Sequence, residues 1–325
     1  MRITLFILGA VFLITFISGS YIFLVGCVRR KELPWLNEGE LLKTPAGKYF
    51  EYISGSEQWL KSHNAEDIYI TSNDGLRLHG LWVPTDDALG TVILAHGYRS
   101  SYLLDFCAAF PLYRKLGMNL LIPDQRSHGN SEGTYITFGI KESDDMICWL
   151  DWHNKSHSKI PVLFCGISMG ASTVLYLADR ILPENVRGIV ADCGFTSPYE
   201  IITEVFHRVI HLPVIPSIWF TDLLARFFAG FALREKDTRE TLKNSRYPIL
   251  LVHGTEDAFV PCEMTKEAFA VCCGPKHQLL VDGADHGISF LIDTKGYTDA
   301  VIEFTEKYVF EWRKDNEYNS RKKVE

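Results

Sequence analysis

The sequence is poor in the features that mark several functional classes. Lys and Arg total 33 against 40 Asp and Glu, a net charge of −7, so the basic excess of a nucleic-acid-binding protein is missing. The eight cysteines form no C-x-x-C pair and no zinc-ligand spacing, so we expect reduced and mostly buried thiols. There is no H-E-x-x-H motif and no glycine-rich dinucleotide loop, so neither a metal nor an organic cofactor is expected.

Charge is also missing from Ile3 to Val25, a run of 23 residues. As a helix this run would extend about 35 Å, enough to cross a hydrocarbon core of ~30 Å. It predicts a single-pass N-terminal membrane anchor in contact with the lipid bilayer. The larger basic cluster, Arg29-Arg30-Lys31, follows the run, which favours a cytoplasmic catalytic domain, with an extracytoplasmic domain as the alternative.

A second interpretation of the N-terminus depends on Cys27. Leu24-Val-Gly-Cys27 resembles a bacterial lipoprotein processing box, in which Cys27 would be cleaved free and lipidated. The apolar run is longer than the 7–15 residues usual for a signal-peptide core, which favours a retained anchor.

Composition divides the chain into an anchor, a tether, one large domain and a tail. The anchor comprises residues 1–28, and a Pro- and Gly-containing tether and lead-in follows over 29–65. The main domain covers 66–312, with an insertion at about 195–245, and a charged tail occupies 313–325.

The main domain is predicted to be α/β. Asn73-Asp-Gly75 between two apolar stretches indicates a hairpin at its start. Stretches of helical length separate most of the short apolar cores that follow, at roughly 101–116, 137–154, 169–182, 262–272 and 297–313. This alternation indicates a mostly parallel sheet with helices on both faces. The predicted strands are Thr91–Ala95, Met118–Pro123, Ile160–Cys165, Val186–Ala191, Tyr247–His253 and His277–Asp282.

The interval between Ala191 and Tyr247 breaks this alternation. It contains two helical patterns, Tyr199–Ile210 and Ile218–Ala232, which are rich in aromatic residues. An apolar segment of this length is too long for a simple crossover and predicts a helical lid over the carboxyl edge of the sheet. For most of the aromatic side chains individually, packing in a core is favoured over contact with a ligand.

Gly166-Ile-Ser168-Met-Gly170 follows a short apolar run and precedes a stretch of helix formers. A Gly-x-Ser-x-Gly sequence between a strand and a helix is typical of a nucleophilic serine on a strained turn, where side chains on the neighbouring residues would collide with the adjoining elements. The pattern predicts Ser168 as a nucleophile.

A catalytic serine needs a base, and the base needs an acid to hold its tautomer. His286 follows the last strand in a glycine-flanked loop and comes after the serine in the chain. Asp257, in the loop after the preceding strand, is preferred to Glu256 as the acid. Asp192, at the end of an earlier strand, is the alternative. His253 is interpreted as structural.

The oxyanion of an acyl-transfer intermediate requires backbone donors. The N–H of Met169, directly after the serine, is one candidate. The second is the N–H of Tyr98, in the loop after the strand that ends at Ala95, where Gly97 permits close approach of the backbone.

Five motifs follow one another along the chain: His96-Gly97, Asp124-Gln-Arg126-Ser-His128-Gly129-x-Ser131, Gly166–Gly170, Gly254-Thr-Glu-Asp257-x-x-Val-Pro261 and Asp285-His286-Gly287. Together they resemble the α/β-hydrolase superfamily, in the branch of serine aminopeptidase-like and esterase-like hydrolases that includes bacterial members with an N-terminal membrane anchor. The resemblance covers about residues 66–312. It implies an α/β-hydrolase fold, a triad of Ser168, Asp257 and His286, and an oxyanion hole from Met169 and Tyr98.

The sequence therefore predicts a membrane-anchored serine hydrolase acting on an ester, with an amide or thioester as alternatives. The apolar insertion and the anchor favour a small-molecule substrate with a hydrophobic acyl group. Asp124, Arg126 and His128 are expected to shape the site and not to react. An acyltransferase with the same triad and a non-catalytic binding protein on this fold are the other two possibilities.

Overall fold

The structure is a computed structural model that describes residues 2–30, 50–157, 160–210 and 214–314. Most of the predicted tether, from 31 to 49, and the predicted tail from 315 onwards lie outside the described residues.

Eight strands and twelve α-helices make up the described part of the chain. The strands are β1 (Glu66–Thr71), β2 (Arg77–Val83), β3 (Gly90–Ala95), β4 (Met118–Pro123), β5 (Val162–Ile167), β6 (Val186–Asp192), β7 (Ile249–Gly254) and β8 (Lys276–Val281). The helices are α1 (Arg2–Gly26), α2 (Phe50–Ser62), α3 (Tyr102–Asp105), α4 (Phe110–Lys115), α5 (Ile140–His157), α6 (Met169–Leu175), α7 (Pro198–Ile210), α8 (Ser217–Leu224), α9 (Thr238–Lys243), α10 (Cys262–Val271), α11 (Ser289–Ile292) and α12 (Thr294–Thr305). Two π-helical segments, Ala225–Ala229 and Glu306–Phe310, continue α8 and α12.

The strands form one sheet in the order β1-β2-β4-β3-β5-β6-β7-β8. The hairpin β1–β2 is antiparallel, as is the pair β2–β4, and all the other neighbours are parallel. The prediction of a mostly parallel sheet opened by a hairpin is confirmed. Because parallel strands end at one edge, the residues that follow β3, β5, β6, β7 and β8 lie along the same side of the molecule.

Both faces of the sheet are buried along its central strands, such as β3, β4, β5 and β7. Along β3, Val92 and Leu94 belong to one apolar cluster and Ile93 and Ala95 to the other, as expected when successive side chains point to opposite faces. This explains why the strands appear in the sequence as continuous apolar runs.

Several predicted helices have different bounds in the structure; the stretch 169–182, for example, is α-helical only over Met169–Leu175. The stretch 101–116 forms α3 and α4 separated by a turn, because Pro111 lies in the first turn of α4 and cannot continue a preceding helix. The helix predicted to reach Ala232 ends earlier, since Gly230 takes a left-handed conformation with φ of 68° directly after the π-helical segment.

The insertion at 195–245 contributes to a third apolar cluster beside the sheet. Phe206 and Phe231 are buried there, as expected for core residues, whereas Trp219, Phe227 and Phe228 are exposed. The aromatic side chains of this insertion therefore divide into an inner and an outer group.

Helix α1 contains a stretch, Thr4–Gly26, whose length and mean hydropathy of 2.2 are sufficient for a membrane span. Its C-terminal end packs on the domain: Phe23 and Cys27 are buried in the third cluster, and Val28 pairs with Tyr135. Arg29 donates to the carbonyl of Gly129. The chain is thus fixed to the domain at residues 28–30, where the sequence suggested that a tether begins. An acyl group on the Cys27 sulfur would require this packing to open.

The segment Asp124–Ser131 is held by buried polar contacts. The Arg126 guanidinium donates to both oxygens of Asp145, at 2.7 and 2.6 Å, and also binds Asp74. Asp124 accepts hydrogen bonds from His79 and from the backbone N–H of Asn130. These contacts fix the loop that borders the site.

We expect Arg126→Leu to destabilise the protein by roughly 3–5 kcal/mol, because it leaves the buried Asp145 carboxylate without its partner. Lys266→Met is the matched control, since Lys266 pairs with Glu263 on the exposed surface. Thermal unfolding of the purified full-length protein in detergent measures both. Equal midpoints for the two variants would contradict a stabilising role for the Arg126 pair.

Candidate active site

Ser168 lies between β5 and α6 in a backbone conformation that non-glycine residues rarely adopt, with φ of 57° and ψ of −119°. Its N–H donates to the carbonyl of Asp192 at the end of β6, which holds the turn in place. Strain of this kind persists only where the surrounding structure imposes it. The turn presents the hydroxyl at the carboxyl edge of the sheet.

The two glycines of the motif are required by close packing. A Cβ at Gly170 would lie 1.8 Å from the carbonyl oxygen of Ala95, and one at Gly166 would lie 2.2 Å from that of Gly170. Gly97 is similar, because a Cβ there would approach the Cβ of Ser168 to 3.2 Å. These three glycines let β3, β5 and α6 converge at the serine.

The structure brings Ser168, His286 and Asp257 together in a hydrogen-bonded chain. His286 Nε2 lies 2.9 Å from Ser168 Oγ, and His286 Nδ1 lies 2.7 Å from Asp257 Oδ2. The residues come from the loops after β5, β8 and β7, so the parallel sheet is what assembles them. This is the arrangement in which Nε2 can accept the serine proton while the carboxylate holds the ring.

The side chain of Asp257 is fully buried yet remains suited to carry charge. Burial raises the pKa of its carboxyl group, but hydrogen bonds from His253 and His286 outweigh burial and hold the pKa below the ordinary range. Asp257 Oδ1, the oxygen that does not bind His286, accepts hydrogen bonds from the backbone N–H groups of Phe259 and Val260, at 2.8 and 2.7 Å. An ionised carboxylate is therefore available to stabilise a protonated His286.

The predicted oxyanion donors, the N–H groups of Tyr98 and Met169, flank the serine. Met169 is the first residue of α6, and Tyr98 lines the same cavity as Ser168. Neither N–H donates to an acceptor within the described ranges. Both are thus available to a ligand oxygen, the requirement for an oxyanion hole.

The side chains of Asp105 and His128 hold the loop that carries Tyr98. The partly buried Asp105 carboxylate accepts hydrogen bonds from the N–H of Gly97 and the hydroxyl of Ser100. His128 Nε2 accepts from the N–H of Arg99 at 3.0 Å. Asp105 lies within a predicted helix, and its role could not be found from the sequence because no spacing or motif connects it to Gly97.

The same loop reaches the end of α1. The Tyr98 hydroxyl donates to the carbonyl of Gly26 at 2.8 Å, and the Arg99 guanidinium donates to the carbonyls of Val25 and Val28. Terminal carbonyls of a helix lack intrahelical partners, and a basic side chain is favourable there. The N-terminal helix is thus bound directly to the loop beside Ser168.

Asp192, the alternative acid, does not bind His286. Its carboxylate accepts from the Ser289 hydroxyl at 3.2 Å and is buried, which raises its pKa to about 6. His253, interpreted as structural, binds Thr265 and the carbonyl of Val260, and its Nε2 also lies 3.2 Å from Asp257. It therefore supports the acid directly.

A cavity of about 410 Å³ opens above Ser168. This volume falls within the range of small-molecule sites. Apart from Ser168, His286, Asp105 and the Gly97–Ser100 loop, its lining is mainly apolar and includes Ile53, Leu104, Ile167, Phe259, Ile288 and Leu291.

Cys193, Asp257 and His286 form the group within the described ranges whose atoms are close enough to share a metal ion. Burial raises the pKa of the Cys193 thiol well above its usual value, whereas a metal ligand must be the thiolate. Both oxygens of Asp257 already accept hydrogen bonds. Asp257 and His286 therefore fit the hydrogen-bonded chain with Ser168 better than a metal centre shared with Cys193.

Comparison with known proteins agrees with the fold. Residues 90–213 match the family model described as alpha/beta hydrolase fold. The uncharacterized protein YqkD of Bacillus subtilis is 27% identical over 236 residues, 72% of this chain and 77% of that protein. The uncharacterized membrane protein YNL320W of Saccharomyces cerevisiae is 23% identical over 242 residues, 74% and 78% of the two chains.

Among solved structures, the esterase Pf2001 of Pyrococcus furiosus superposes with a TM-score of 0.62 at 23% identity, covering 76% of this chain and 94% of that one. The fold is therefore that of the α/β-hydrolases. The chain is thus similar to the α/β-hydrolases in its fold and, over residues 90–213, in its sequence, the similarity that its motifs indicated.

The raised pKa of Asp192 predicts a stability that depends on pH. Its folded-state pKa of about 6 exceeds the ordinary 3.8, so ionisation costs stability above pH 6 and the cost disappears as the pH falls towards 4. We expect Asp192→Asn to be more stable than the unsubstituted protein at pH 8, by up to ~3 kcal/mol, and similar to it near pH 4. The thermal unfolding midpoints of the two proteins, measured between pH 4 and pH 8, test this prediction. A difference between the midpoints that does not vary with pH would contradict the raised pKa of Asp192.

Proposed function

We propose that the protein is a membrane-anchored serine hydrolase that cleaves a carboxylic ester through an acyl-enzyme on Ser168. The observation that carries the proposal is the hydrogen-bonded chain Ser168–His286–Asp257, with contacts of 2.9 and 2.7 Å. The oxyanion donors and the apolar cavity adjoin the same hydroxyl, and a structural neighbour is an esterase.

In the first half of the reaction, Ser168 Oγ attacks the ester carbonyl carbon and its proton passes to His286 Nε2. The negative charge formed on the carbonyl oxygen is stabilised by the N–H groups of Tyr98 and Met169, and the imidazolium by Asp257. The tetrahedral intermediate then expels the alcohol, which takes the proton from His286. An acyl-enzyme remains.

In the second half, His286 removes a proton from water, which attacks the acyl carbon. The second intermediate breaks down to release the acid, and the proton returns to Ser168. The apolar lining favours a hydrophobic acyl group, the substrate class suggested by the sequence.

Anchoring depends on α1, which has the length and hydropathy of a span, and a relative bears the name membrane protein. The basic residues after α1 favour a cytoplasmic domain.

The nucleophile is tested by a fluorophosphonate probe and by hydrolysis of short-chain p-nitrophenyl esters. The full-length protein should be labelled and active, and Ser168→Ala should lose labelling and fall by at least ~10³-fold in kcat. Ser172→Ala, a buried serine one turn along α6, is the control for the substitution itself. Full activity in Ser168→Ala would refute the mechanism.

The identity of the acid is tested by two matched substitutions. We expect Asp257→Asn to lower kcat/KM roughly 10³–10⁴-fold, because Asn cannot stabilise the imidazolium or fix the tautomer. Asp192→Asn should keep most of the activity, since Asp192 makes no hydrogen bond to His286. The reverse ranking would assign the acid to Asp192.

A further inference from the structure

A row of large apolar side chains points outward from the insertion. Trp219, Leu223 and Phe227 are spaced by four residues along α8 and its π-helical continuation, and Ile215 and Phe228 adjoin them. Their exposed fractions are 51% for Ile215, 62% for Trp219, 57% for Leu223, 79% for Phe227 and 53% for Phe228. We call these five residues the outer stripe. A contiguous exposed apolar surface of this kind marks an interaction site.

The opposite face of α8 packs against α1. Ser217 and Ser18 share a hydrogen bond of 2.5 Å, and the Thr221 hydroxyl donates to the carbonyl of Gly19 at 3.1 Å. A Cβ at Gly19 would lie only 2.7 Å from the carbonyl oxygen of Ser217, so glycine is what lets the two backbones approach. Small residues and hydroxyl hydrogen bonds between helices are typical of helix packing inside membranes.

The position of these contacts along α1 gives the depth of α8. Two further contacts join aromatic rings. The Phe16 ring lies 5.1 Å from that of Phe220, and the Phe23 ring lies 6.0 Å from that of Phe228. At ~1.5 Å per residue, Phe16 lies about 15 Å and Gly19 about 10 Å before Gly26, where the apolar span ends. If α1 crosses a bilayer, α8 lies within the leaflet next to the domain.

The charged residues of α8 and its π-helical continuation are consistent with a location in the leaflet next to the domain. Arg226 is paired with Asp222 at 2.7 Å, and Asp222 also accepts the N–H of Leu233. All five positions of the outer stripe are apolar. The polar surface of the domain begins where α1 ends, since Arg29 binds the carbonyls of Gly129 and Ser131.

We infer that α8 and its π-helical continuation are embedded in one leaflet of the lipid bilayer, with the outer stripe in contact with acyl chains. The inference rests on the membrane span proposed for α1 and extends it from a simple anchor to a two-helix membrane contact. Because Tyr98 binds the end of α1 at Gly26, the cavity above Ser168 is held at the bilayer surface. The substrate class that fits is an amphiphilic ester drawn from that leaflet.

The experiment uses the full-length protein reconstituted into palmitoyl-oleoyl phosphatidylcholine vesicles, with or without a phosphatidylcholine brominated on one acyl chain. Bromine quenches tryptophan fluorescence at short range. We expect quenching in the unsubstituted protein and loss of most of the quenched intensity in Trp219→Phe, where the exposed indole is replaced. Equal quenching in the two proteins would overturn the inference.

A relocated probe makes the result independent of Trp219. In the Trp219→Phe background, Leu223→Trp should restore quenching, whereas Ile181→Trp should not. Ile181 is 85% exposed but precedes β6, so it lies at the opposite edge of the sheet from Ser168. If the tryptophan at position 223 is not quenched, the inference is overturned. Dimers cross-linked through position 223 would likewise overturn it, because they would assign the outer stripe to a protein contact.

Two further readouts separate this inference from the proposals beneath it. Protein that fails to float with the vesicles would overturn the stripe contact together with the membrane span. Fluorophosphonate labelling of Ser168 does not depend on the outer stripe. Absence of labelling in the unsubstituted protein would refute the catalytic proposal, and the quenching result would still decide the location of α8.

Discussion

The site depends on the close contact between the end of β3 and the start of α6. Gly170 lies against the carbonyl of Ala95 so tightly that no side chain fits between them. This contact, together with the hydrogen bond from Ser168 N–H to Asp192, holds Ser168 in its strained turn. The turn holds the Ser168 hydroxyl within hydrogen-bond distance of His286 Nε2, so the proposed reaction would need little reorganisation of the serine.

A second constraint is the buried negative charge of Asp257. Its two oxygens are satisfied by backbone N–H groups on one side and by imidazoles on the other, so the carboxylate remains ionised despite burial. Asp192, only one strand away, lacks such donors and its pKa is raised. The pKa values of these two aspartates at one sheet edge thus differ because of their hydrogen bonds and not because of their solvent exposure.

The N-terminal helix α1 is hydrogen-bonded directly to the loop beside Ser168. Its last carbonyls are bound by Tyr98 and Arg99, residues of the loop that borders Ser168. Its small residues, Ser18 and Gly19, receive α8. The end of α1, the insertion and the loop that carries Tyr98 therefore form one continuous packed unit.

Sequence alone determined the α/β pattern, the parallel sheet and the strand-to-helix turn at Ser168, because apolar periodicity and glycine punctuation are local properties. It also proposed His286 and Asp257 from their positions after strands. Only the tertiary structure decided that Asp257 and not Asp192 reaches His286, that Asp105 holds the oxyanion loop, and that α1 packs on α8. These contacts join residues far apart in the chain, and no local pattern encodes the distance between them.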